Sequence, residues 1–230
     1  MKEEFDVTFL IGSVTSDRPP EQFVLKTIDN INEISKNSKY TYEILIISEH
    51  KVAGDNVRWI EESPEIRSWG GAARAYNALI PHAKGKYLAF GVDDCTYDDQ
   101  FYTAIDLLES YVYNNRTLKM LLLCSDNGLG AFMPPGYPHY TVARFPIIKR
   151  ESLTNYFNGK WFNPEFHHHY ADNWLGYWAL HTFGETIIEV YNTTIHIPEG
   201  APSYNHDNTH DEKVFHQLVK RFHEGYRFYV

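Results

Sequence analysis

The stretch KGKYLAFGVDDCTY, from Lys84 to Tyr97, decides the fold. Its apolar run, from Tyr87 to Phe90, has the length of one buried strand. Two carboxylates, Asp93 and Asp94, follow this strand directly. In an open α/β sheet, ligands sit in the crevice beyond the carboxyl ends of the strands. The acid pair therefore marks a candidate binding edge.

The composition predicts one domain with one sizeable core, since 43% of the 230 residues are hydrophobic and 16% are aromatic. A net charge of -9 argues against a general nucleic-acid binder, which needs a basic footprint. Only two cysteines occur, Cys95 and Cys124, and we expect both to be free thiols in a reducing compartment. The apolar run in MKEEFDVTFLIG is too short for a signal peptide, and no window approaches the ~18 apolar residues of a membrane span. We therefore expect a cytoplasmic protein.

Strand and helix patterns alternate through the first half of the chain. The apolar spacing predicts strands at Val7–Val14, Glu43–Ser48, Val57–Ile60, Tyr87–Phe90 and Lys119–Cys124, and helices at Phe23–Ile34, Gly71–Ala83 and Phe101–Tyr113. Gly85 is expected to end the second of these helices. This order calls for an α/β fold, with a mostly parallel sheet and helices on both faces.

The second half is richer in aromatic residues, His, Pro and Gly, and its regular elements are shorter. We expect a strand at Thr141–Pro146, a helix at Asp172–Thr182, a strand at Thr186–Tyr191 and a final helix at Asp211–His223. The shift in composition is interpreted as a second region built on the same core and not as a separate domain.

The predicted sheet brings three polar segments to one edge: Thr15 to Arg18, Ser48-Glu49 and Asp93-Asp94. Paired carboxylates there suit Mg²⁺ or Mn²⁺ that carries a phosphorylated substrate, because these ions prefer oxygen ligands. The alternative is an ordinary solvated turn, since Asp-Asp pairs are common in loops.

NALIPHAKGKYLAFGVDD, from Asn77 to Asp94, resembles a stretch in family 2 glycosyltransferases of the GT-A fold. In that family an Asn-containing helix, an Ala-x-Gly-x-Tyr corner and an apolar strand lead into the D-x-D motif. Here the motif reads Val92-Asp93-Asp94, with Val in place of the first acid. The resemblance implies that Asp94 ligates Mn²⁺ or Mg²⁺, while Asp93 contacts the ribose or a water molecule on the metal.

Two further segments are similar to the same family. VTFLIGSVTSDRP matches its opening strand and Thr-x-x-Arg-Pro turn, and EILIISEH matches its second strand. The resemblance implies donor contacts from Thr15, Arg18, Ser48 and Glu49, and it leaves the base open because Ser48-Glu49 replace the usual aspartate. Arg74 and Arg18 are candidates for contacting the diphosphate, with a surface role as the alternative.

Two landmarks lie in the second half. In HHHYADNWLGYWAL, Asp172 occupies the family's catalytic-base position at the start of a helix; the alternative is a helix N-cap. In EVYNTTIHIPEG, His196 is similar to the third protein ligand of the metal in several members of the family. His206 and His210 are competing candidates for that ligand.

Two clusters of ring side chains need a separate interpretation. His167, His168 and His169 invite a zinc site, but adjacent residues in an extended chain point to opposite sides, so zinc catalysis is not expected. One of these histidines is expected near the acceptor cleft. We expect the side chains of a second group to divide between the hydrophobic core and a platform that stacks on a sugar ring: Trp161, Trp174, Tyr177 and Trp178.

The resemblance implies a metal-dependent, inverting glycosyltransferase of the hexosyltransferase type. Its donor would be a nucleoside-diphosphate sugar bound by residues 1–125, and residues 126–230 would face a glycan, lipid-linked or protein acceptor. P-loop, dinucleotide-binding and serine-hydrolase motifs are absent from the sequence. Two alternatives remain: a sugar-nucleotide-binding protein with a degenerate catalytic site, and a nucleotidyltransferase that makes the sugar nucleotide.

Overall fold

A computed structural model describes residues 4–13, 23–68, 72–113, 120–125, 145–167, 170–183, 187–196 and 209–225. Its strands are β1 (Phe5–Gly12), β2 (Tyr42–Ser48), β3 (Val57–Glu61), β4 (Gly85–Val92), β5 (Thr96–Tyr97), β6 (Met120–Ser125), β7 (Phe145–Lys149) and β8 (Ile187–His196). Its helices are α1 (Val24–Ser35), α2 (Pro64–Ser68), α3 (Ala72–Leu79), α4 (Phe101–Tyr113), α5 (Arg150–Tyr156), α6 (Ala171–Phe183) and α7 (Thr209–His223).

The described strands form one sheet in the order β3-β2-β1-β4-β7-β6-β8-β5. Strands β3, β2, β1 and β4 are parallel, whereas β7 runs antiparallel between β4 and β6. Strand β8 is parallel to β6, and the short β5 pairs antiparallel with the end of β8. The prediction of a mostly parallel sheet is confirmed.

Helices cover both faces of this sheet. The ring of Phe9 in β1 packs against Phe101 of α4, with their centroids 4.9 Å apart. Gly12 lies three residues further along β1 and therefore faces the other side. A Cβ on Gly12 would stand 3.0 Å from the ring of Tyr76 in α3. Strands covered on both faces read as continuous apolar runs, which explains why β1, β2 and β4 were readable in the sequence.

Gly85 has a different role from the predicted helix end. Helix α3 ends at Leu79 and a 3₁₀ turn follows over Ile80–His82, because Pro81 supplies no N–H to continue the helix. Gly85 is instead the first residue of β4, where a Cβ would stand 2.4 Å from the backbone nitrogen of Thr8. The close approach of β1 to β4 therefore requires glycine at this position.

The second half follows the predicted order with changed boundaries. Strand β7 begins at Phe145, and residues 141–144 lie outside the described residues. Strand β8 continues beyond the predicted Tyr191 to His196, with an irregular register where Leu123 and Cys124 of β6 pair with it. Helices α2 and α5 and strand β5 were not predicted. They span 5, 7 and 2 residues, too few for a periodic pattern to appear.

One hydrophobic core runs from Val7 to Val219. Phe90 of β4 contacts side chains from both halves of the chain, including Tyr76 at 4.0 Å and Phe162 at 5.1 Å between ring centroids. The functional division at residue 125 stays a prediction. Among the described helices, none combines the length and the apolar character that a membrane crossing requires.

A buried carboxylate fixes the register of the central strands. Glu43 of β2 accepts hydrogen bonds from the Thr8 hydroxyl at 2.8 Å and from the Lys84 backbone nitrogen at 2.6 Å. The Thr8 hydroxyl accepts in turn from the Gly85 nitrogen at 2.8 Å. Arg58 of β3 places its guanidinium 3.2 Å from the other Glu43 oxygen. The network links β3, β2, β1 and β4 at one position along the sheet.

We expect Glu43→Ala to lower the free energy of unfolding by at least about 2 kcal/mol, because each buried donor left without a partner costs roughly 1–3 kcal/mol. Urea denaturation measures this loss. Glu33→Ala is the matched control, since Glu33 is an exposed acid paired with Lys36 and such surface pairs are worth about 0–1 kcal/mol. Equal effects of the two substitutions would contradict the structural role of Glu43.

Candidate functional site

The carboxyl ends of β1, β2 and β4 meet at one edge of the sheet. Gly12 pairs with Ile47 of β2 and with Val92 of β4, so the next residues along these strands are neighbours. The Ser13 nitrogen donates to the Ile47 carbonyl at 3.0 Å, and its hydroxyl donates to Asp93 Oδ2 at 2.8 Å. Asp93 is therefore held at the sheet edge by a serine that the sequence pattern did not single out.

The turn that carries the acid pair is fixed from three sides. The Thr27 hydroxyl of α1 lies 3.0 Å from the carbonyl oxygen of Asp93 and 2.7 Å from that of Cys95. The Cys95 thiol donates to the Val92 carbonyl at 3.1 Å. From the opposite face, the Tyr76 hydroxyl donates to the Gly91 carbonyl at 2.8 Å. These contacts hold the backbone on both sides of Asp93 and Asp94.

The two acids occupy different environments. Asp93 is 9% exposed and is oriented by Ser13, whereas Asp94 is only half-buried. Burial raises the pKa of the Cys95 thiol to about 12 and raises the pKa of Tyr76 well above its usual value, with Asp93 adding to the Tyr76 shift. Both groups therefore remain neutral and act as hydrogen-bond donors, and Cys95 is not a thiolate nucleophile.

The segment Ser48-Glu49 lies at the end of β2, as predicted. Ser48 is fully buried; its hydroxyl donates to the His50 carbonyl at 2.7 Å and accepts from Trp59 Nε1 at 3.0 Å. Glu49 is half-buried at the same edge. The Ser48 hydroxyl proton is thus committed to the protein, and donor contacts from both residues stay predictions. Thr15 and Arg18 lie outside the described residues.

Asn77 of α3 attaches the second half of the chain to this edge. Its side-chain oxygen accepts from the backbone nitrogens of Trp161 and Phe162 at 2.7 and 3.1 Å, and its nitrogen donates to the Phe162 carbonyl at 2.7 Å. Phe162 then packs on Phe90 near the end of β4. The asparagine that belongs to the sequence resemblance therefore docks the second region beside the acid turn.

Arg74 lies on the same helix and contacts the same region. Its Nε donates to the Pro164 carbonyl at 3.3 Å, and the side chain is half-buried. The structure therefore places Arg74 against the segment that precedes α6. Its contact with a diphosphate stays a prediction.

Asp172 is the second residue of α6 and is half-buried. It lies inside the first turn, so it is not the N-cap, and its charge is favourable near the positive end of the helix. The residue before the helix, Tyr170, has a φ of 61°, in the left-handed region where non-glycine residues are strained by about 1–3 kcal/mol. The Asn173 nitrogen donates to Asp172 Oδ1 at 2.9 Å.

The expected sugar platform is not formed by the predicted aromatic side chains. All four are buried in the core: Trp161, Trp174, Tyr177 and Trp178. Trp174, Tyr177 and Phe215 of α7 pack together, with centroid distances of 6.0–6.2 Å. Burial against α7 depends on tertiary packing, which the sequence pattern of α6 does not encode. The half-core, half-platform prediction was wrong in its second part.

His196 ends β8 beside the acid turn. Thr96, two residues after Asp94, pairs with His196, and Tyr97 pairs with Ile195. Asn30 of α1 holds this short ladder, because it accepts from the Tyr97 nitrogen at 2.6 Å and donates to the Tyr97 carbonyl at 3.0 Å. The sequence positions of Asp94 and His196 are distant, and β5 is the element that brings their backbones together.

A second polar cluster lies between the segment before α6 and the start of α7. The rings of His167 and His210 stack with centroids 3.9 Å apart, and the His167 nitrogen donates to Asp211 Oδ1 at 2.8 Å. Burial lowers the pKa of His167 below its usual value, and His210 acts in the same direction. His210 therefore belongs to this cluster, while His206 lies outside the described residues.

The chain matches no protein-family model and no curated protein in sequence, but its fold is similar to several solved structures. Mannosyl-3-phosphoglycerate synthase from Rubrobacter xylanophilus is 12% identical, with a TM-score of 0.67 over 96% of this chain and 75% of that one. Glucosyl-3-phosphoglycerate synthase from Mycobacterium tuberculosis, in complex with Mn²⁺, UDP and phosphoglyceric acid, is 11% identical, with a TM-score of 0.59 over 95% and 78%.

Residues 1–349 of S. aureus TarS, in complex with UDP-GlcNAc, are 11% identical, with a TM-score of 0.61 over 86% of this chain. The chain spans 60% of that TarS fragment and 36% of a longer TarS structure. At these identities the likeness concerns the fold, and it confirms the predicted GT-A type α/β architecture.

We expect Thr27→Val to lower the free energy of unfolding by about 1–3 kcal/mol, because the substitution keeps the side-chain shape and leaves the carbonyls of Asp93 and Cys95 without the hydroxyl. Thr103→Val is the matched control, since Thr103 is exposed on α4. Thermal or urea denaturation compares the two variants. A Thr27 variant as stable as the control would show that this hydroxyl does not hold the turn.

Proposed function

We propose that the chain is a glycosyltransferase that binds a nucleoside-diphosphate sugar at the carboxyl edge of β1, β2 and β4. One observation carries the proposal: the pairing of Thr96 with His196 puts a histidine beside the turn of Asp93 and Asp94. This backbone pairing supports a site in which the acid turn and His196 act together, since an open α/β sheet binds its ligands beyond the ends of its strands. The resemblance of Asn77–Asp94 to family 2 glycosyltransferases supports the same assignment.

Asp94 and His196 are the residues that we assign to a divalent cation. A half-buried carboxylate together with an imidazole fits Mn²⁺ better than Mg²⁺, which prefers oxygen ligands alone. One protein carboxylate is a common complement where substrate phosphates provide other ligands. When bound, such a cation offsets negative charge on the diphosphate leaving group. The Mn²⁺ and UDP in the M. tuberculosis synthase support this assignment at the level of a similar fold.

Asp93 has a positioning role in this proposal. One of its oxygens accepts from Ser13, and its backbone carbonyl is held by Thr27. In this proposal the Asp93 carboxylate contacts the ribose or a water molecule on the cation. Thr15, Arg18, Ser48, Glu49 and Arg74 are proposed as further donor-binding residues.

Asp172 is proposed as the general base. The acceptor hydroxyl would give its proton to the Asp172 carboxylate while its oxygen forms a bond to C1 of the sugar. The bond between C1 and the diphosphate breaks in the same displacement, and the diphosphate leaves with the electron pair. A single displacement of this kind inverts the anomeric centre. A glycan, a lipid-linked sugar or a protein is proposed as the source of the hydroxyl.

The alternative is a protein that binds a sugar nucleotide and does not transfer the sugar. Val92 occupies the first acid position of the D-x-D motif, which removes one carboxylate from the site. The two proposals differ in one measurement, the metal-dependent release of the nucleoside diphosphate from a panel of nucleotide sugars. Binding without release in the presence of acceptors would favour the alternative.

We expect Asp94→Ala to abolish the metal-dependent part of nucleotide binding, because it removes the carboxylate assigned to the cation. The melting temperature, measured with a panel of nucleoside diphosphates and with or without Mn²⁺, reports this binding. Asp99→Ala is the matched control, since Asp99 is an exposed acid shortly after the same turn. Unchanged metal-dependent binding in a folded Asp94 variant would remove Asp94 from the site.

We expect Asp172→Asn to lower turnover by at least about a hundredfold while the affinity for the nucleotide sugar stays near that of the original chain, because a general base acts on the acceptor alone. Initial rates and donor titrations separate the two effects. Glu151→Gln is the matched control, as Glu151 is an exposed acid in the first turn of α5. A fully active Asp172 variant would assign this residue to the helix terminus only.

A further inference from the structure

The cluster of His167, His210 and Asp211 has the composition of a metal site. One ligand atom from each residue lies within 4.8 Å of the other two. Tetrahedral zinc sites hold such atoms roughly 3.3 Å apart, given Zn–N and Zn–O bonds of about 2.0–2.2 Å. The three side chains therefore need to approach one another by at most about 1.5 Å around an ion. The His167 and His210 rings are stacked with an interplanar angle of 11°, so binding also requires the rings to turn until their lone pairs converge on the ion.

The hydrogen bonds around the cluster favour this role. His210 Nε2 lies 3.1 Å from the Glu165 carbonyl. A proton on Nε2 satisfies that carbonyl and leaves the lone pair on Nδ1, and metal-binding histidines commonly donate their second ring N–H to a carbonyl or carboxylate. The Glu165 carboxylate is itself held by Arg221 at 3.2 Å. The tautomer and orientation of His210 are thus set from outside the cluster.

Asp211 is the anchor of the cluster. It is 2% exposed and accepts from the His167 backbone nitrogen at 2.8 Å. A carboxylate has about four lone-pair sites, and the His167 nitrogen occupies one of them. Partners that offset its charge stabilise a buried carboxylate. A cation next to two imidazoles is a partner of this kind.

We propose that His167, His210 and Asp211 bind a divalent transition-metal ion, with Zn²⁺ as the best match. Two imidazoles and one carboxylate form a common set of protein ligands for zinc, and a fourth position remains for water. The ion would join the first turn of α7 to the segment that leads into α6 and Asp172. This site is distinct from the one assigned to Asp94 and His196, and it does not rest on the proposed transferase activity.

The test uses the full chain, stripped of metal with a chelator and then titrated with ZnCl₂ by calorimetry in the absence of nucleotide. We expect His210→Ala to weaken zinc binding by at least about a hundredfold. Loss of an outer hydrogen-bond partner of a ligand costs up to about that much, and loss of the ligand itself should cost at least as much. His210 is exposed, so this variant is expected to fold. His216→Ala is the matched control, because His216 is an exposed histidine on the same helix.

Two further variants complete the design. Asp211→Asn keeps an oxygen for the His167 nitrogen and removes the charge, so it should weaken zinc binding in a folded chain. Asp94→Ala should leave the affinity of this site unchanged, which separates it from the proposed nucleotide-associated ion. The proposal is overturned if the original chain binds no zinc, if His210→Ala binds it as tightly as His216→Ala, or if Asp94→Ala removes the binding.

Discussion

The hydroxyl of Thr27 links α1 to the acid turn at the carboxyl edge of the sheet. It reaches from α1 to the carbonyl oxygens of Asp93 and Cys95, at 3.0 and 2.7 Å. The backbone carbonyls of a turn at the end of a buried strand lose water on folding. Each of them then needs a hydrogen-bond donor, because a buried carbonyl without one costs free energy. Because α1 supplies that partner, the backbone of the turn is held against α1, with Asp93 bonded to Ser13 and Asp94 half-buried. Asn30 of α1 also binds the backbone of Tyr97 in β5, and β5 pairs with the end of β8.

The two halves of the chain meet on α3. On one side of this helix, Tyr76 binds the Gly91 carbonyl just before the acid turn. On the other side, Asn77 and Arg74 bind the backbone of residues 161–164. The segment that leads to Asp172 is therefore attached to the same helix that supports the acid turn. An arrangement of this kind can hold a donor and an acceptor in a fixed relation, and the proposed chemistry requires that relation.

The order of most strands and helices could be predicted from the sequence, but only some of the contacts between them. Helix α4 was predicted with the bounds it has, and the strand that precedes Asp93 and Asp94 was readable because a strand buried on both faces is apolar throughout. Gly85 was misassigned because glycine is required there by the close approach of Thr8, which lies on another strand. Thr27 and Ser13 gave no signal, since each acts on a residue more than sixty positions away. The burial of Trp174 and Tyr177 likewise depends on α7.

The proposed donor site is tested most directly by a crystal structure of the chain with Mn²⁺ and UDP, the nucleotide bound by the M. tuberculosis synthase of similar fold. The anomalous signal of Mn²⁺ locates the ion without reference to the nucleotide. We expect a Mn²⁺ peak between the Asp94 carboxylate and the His196 imidazole, with the diphosphate at the ends of β1 and β4. A nucleotide bound elsewhere, or Mn²⁺ at His167 and His210 with none at Asp94, would contradict it.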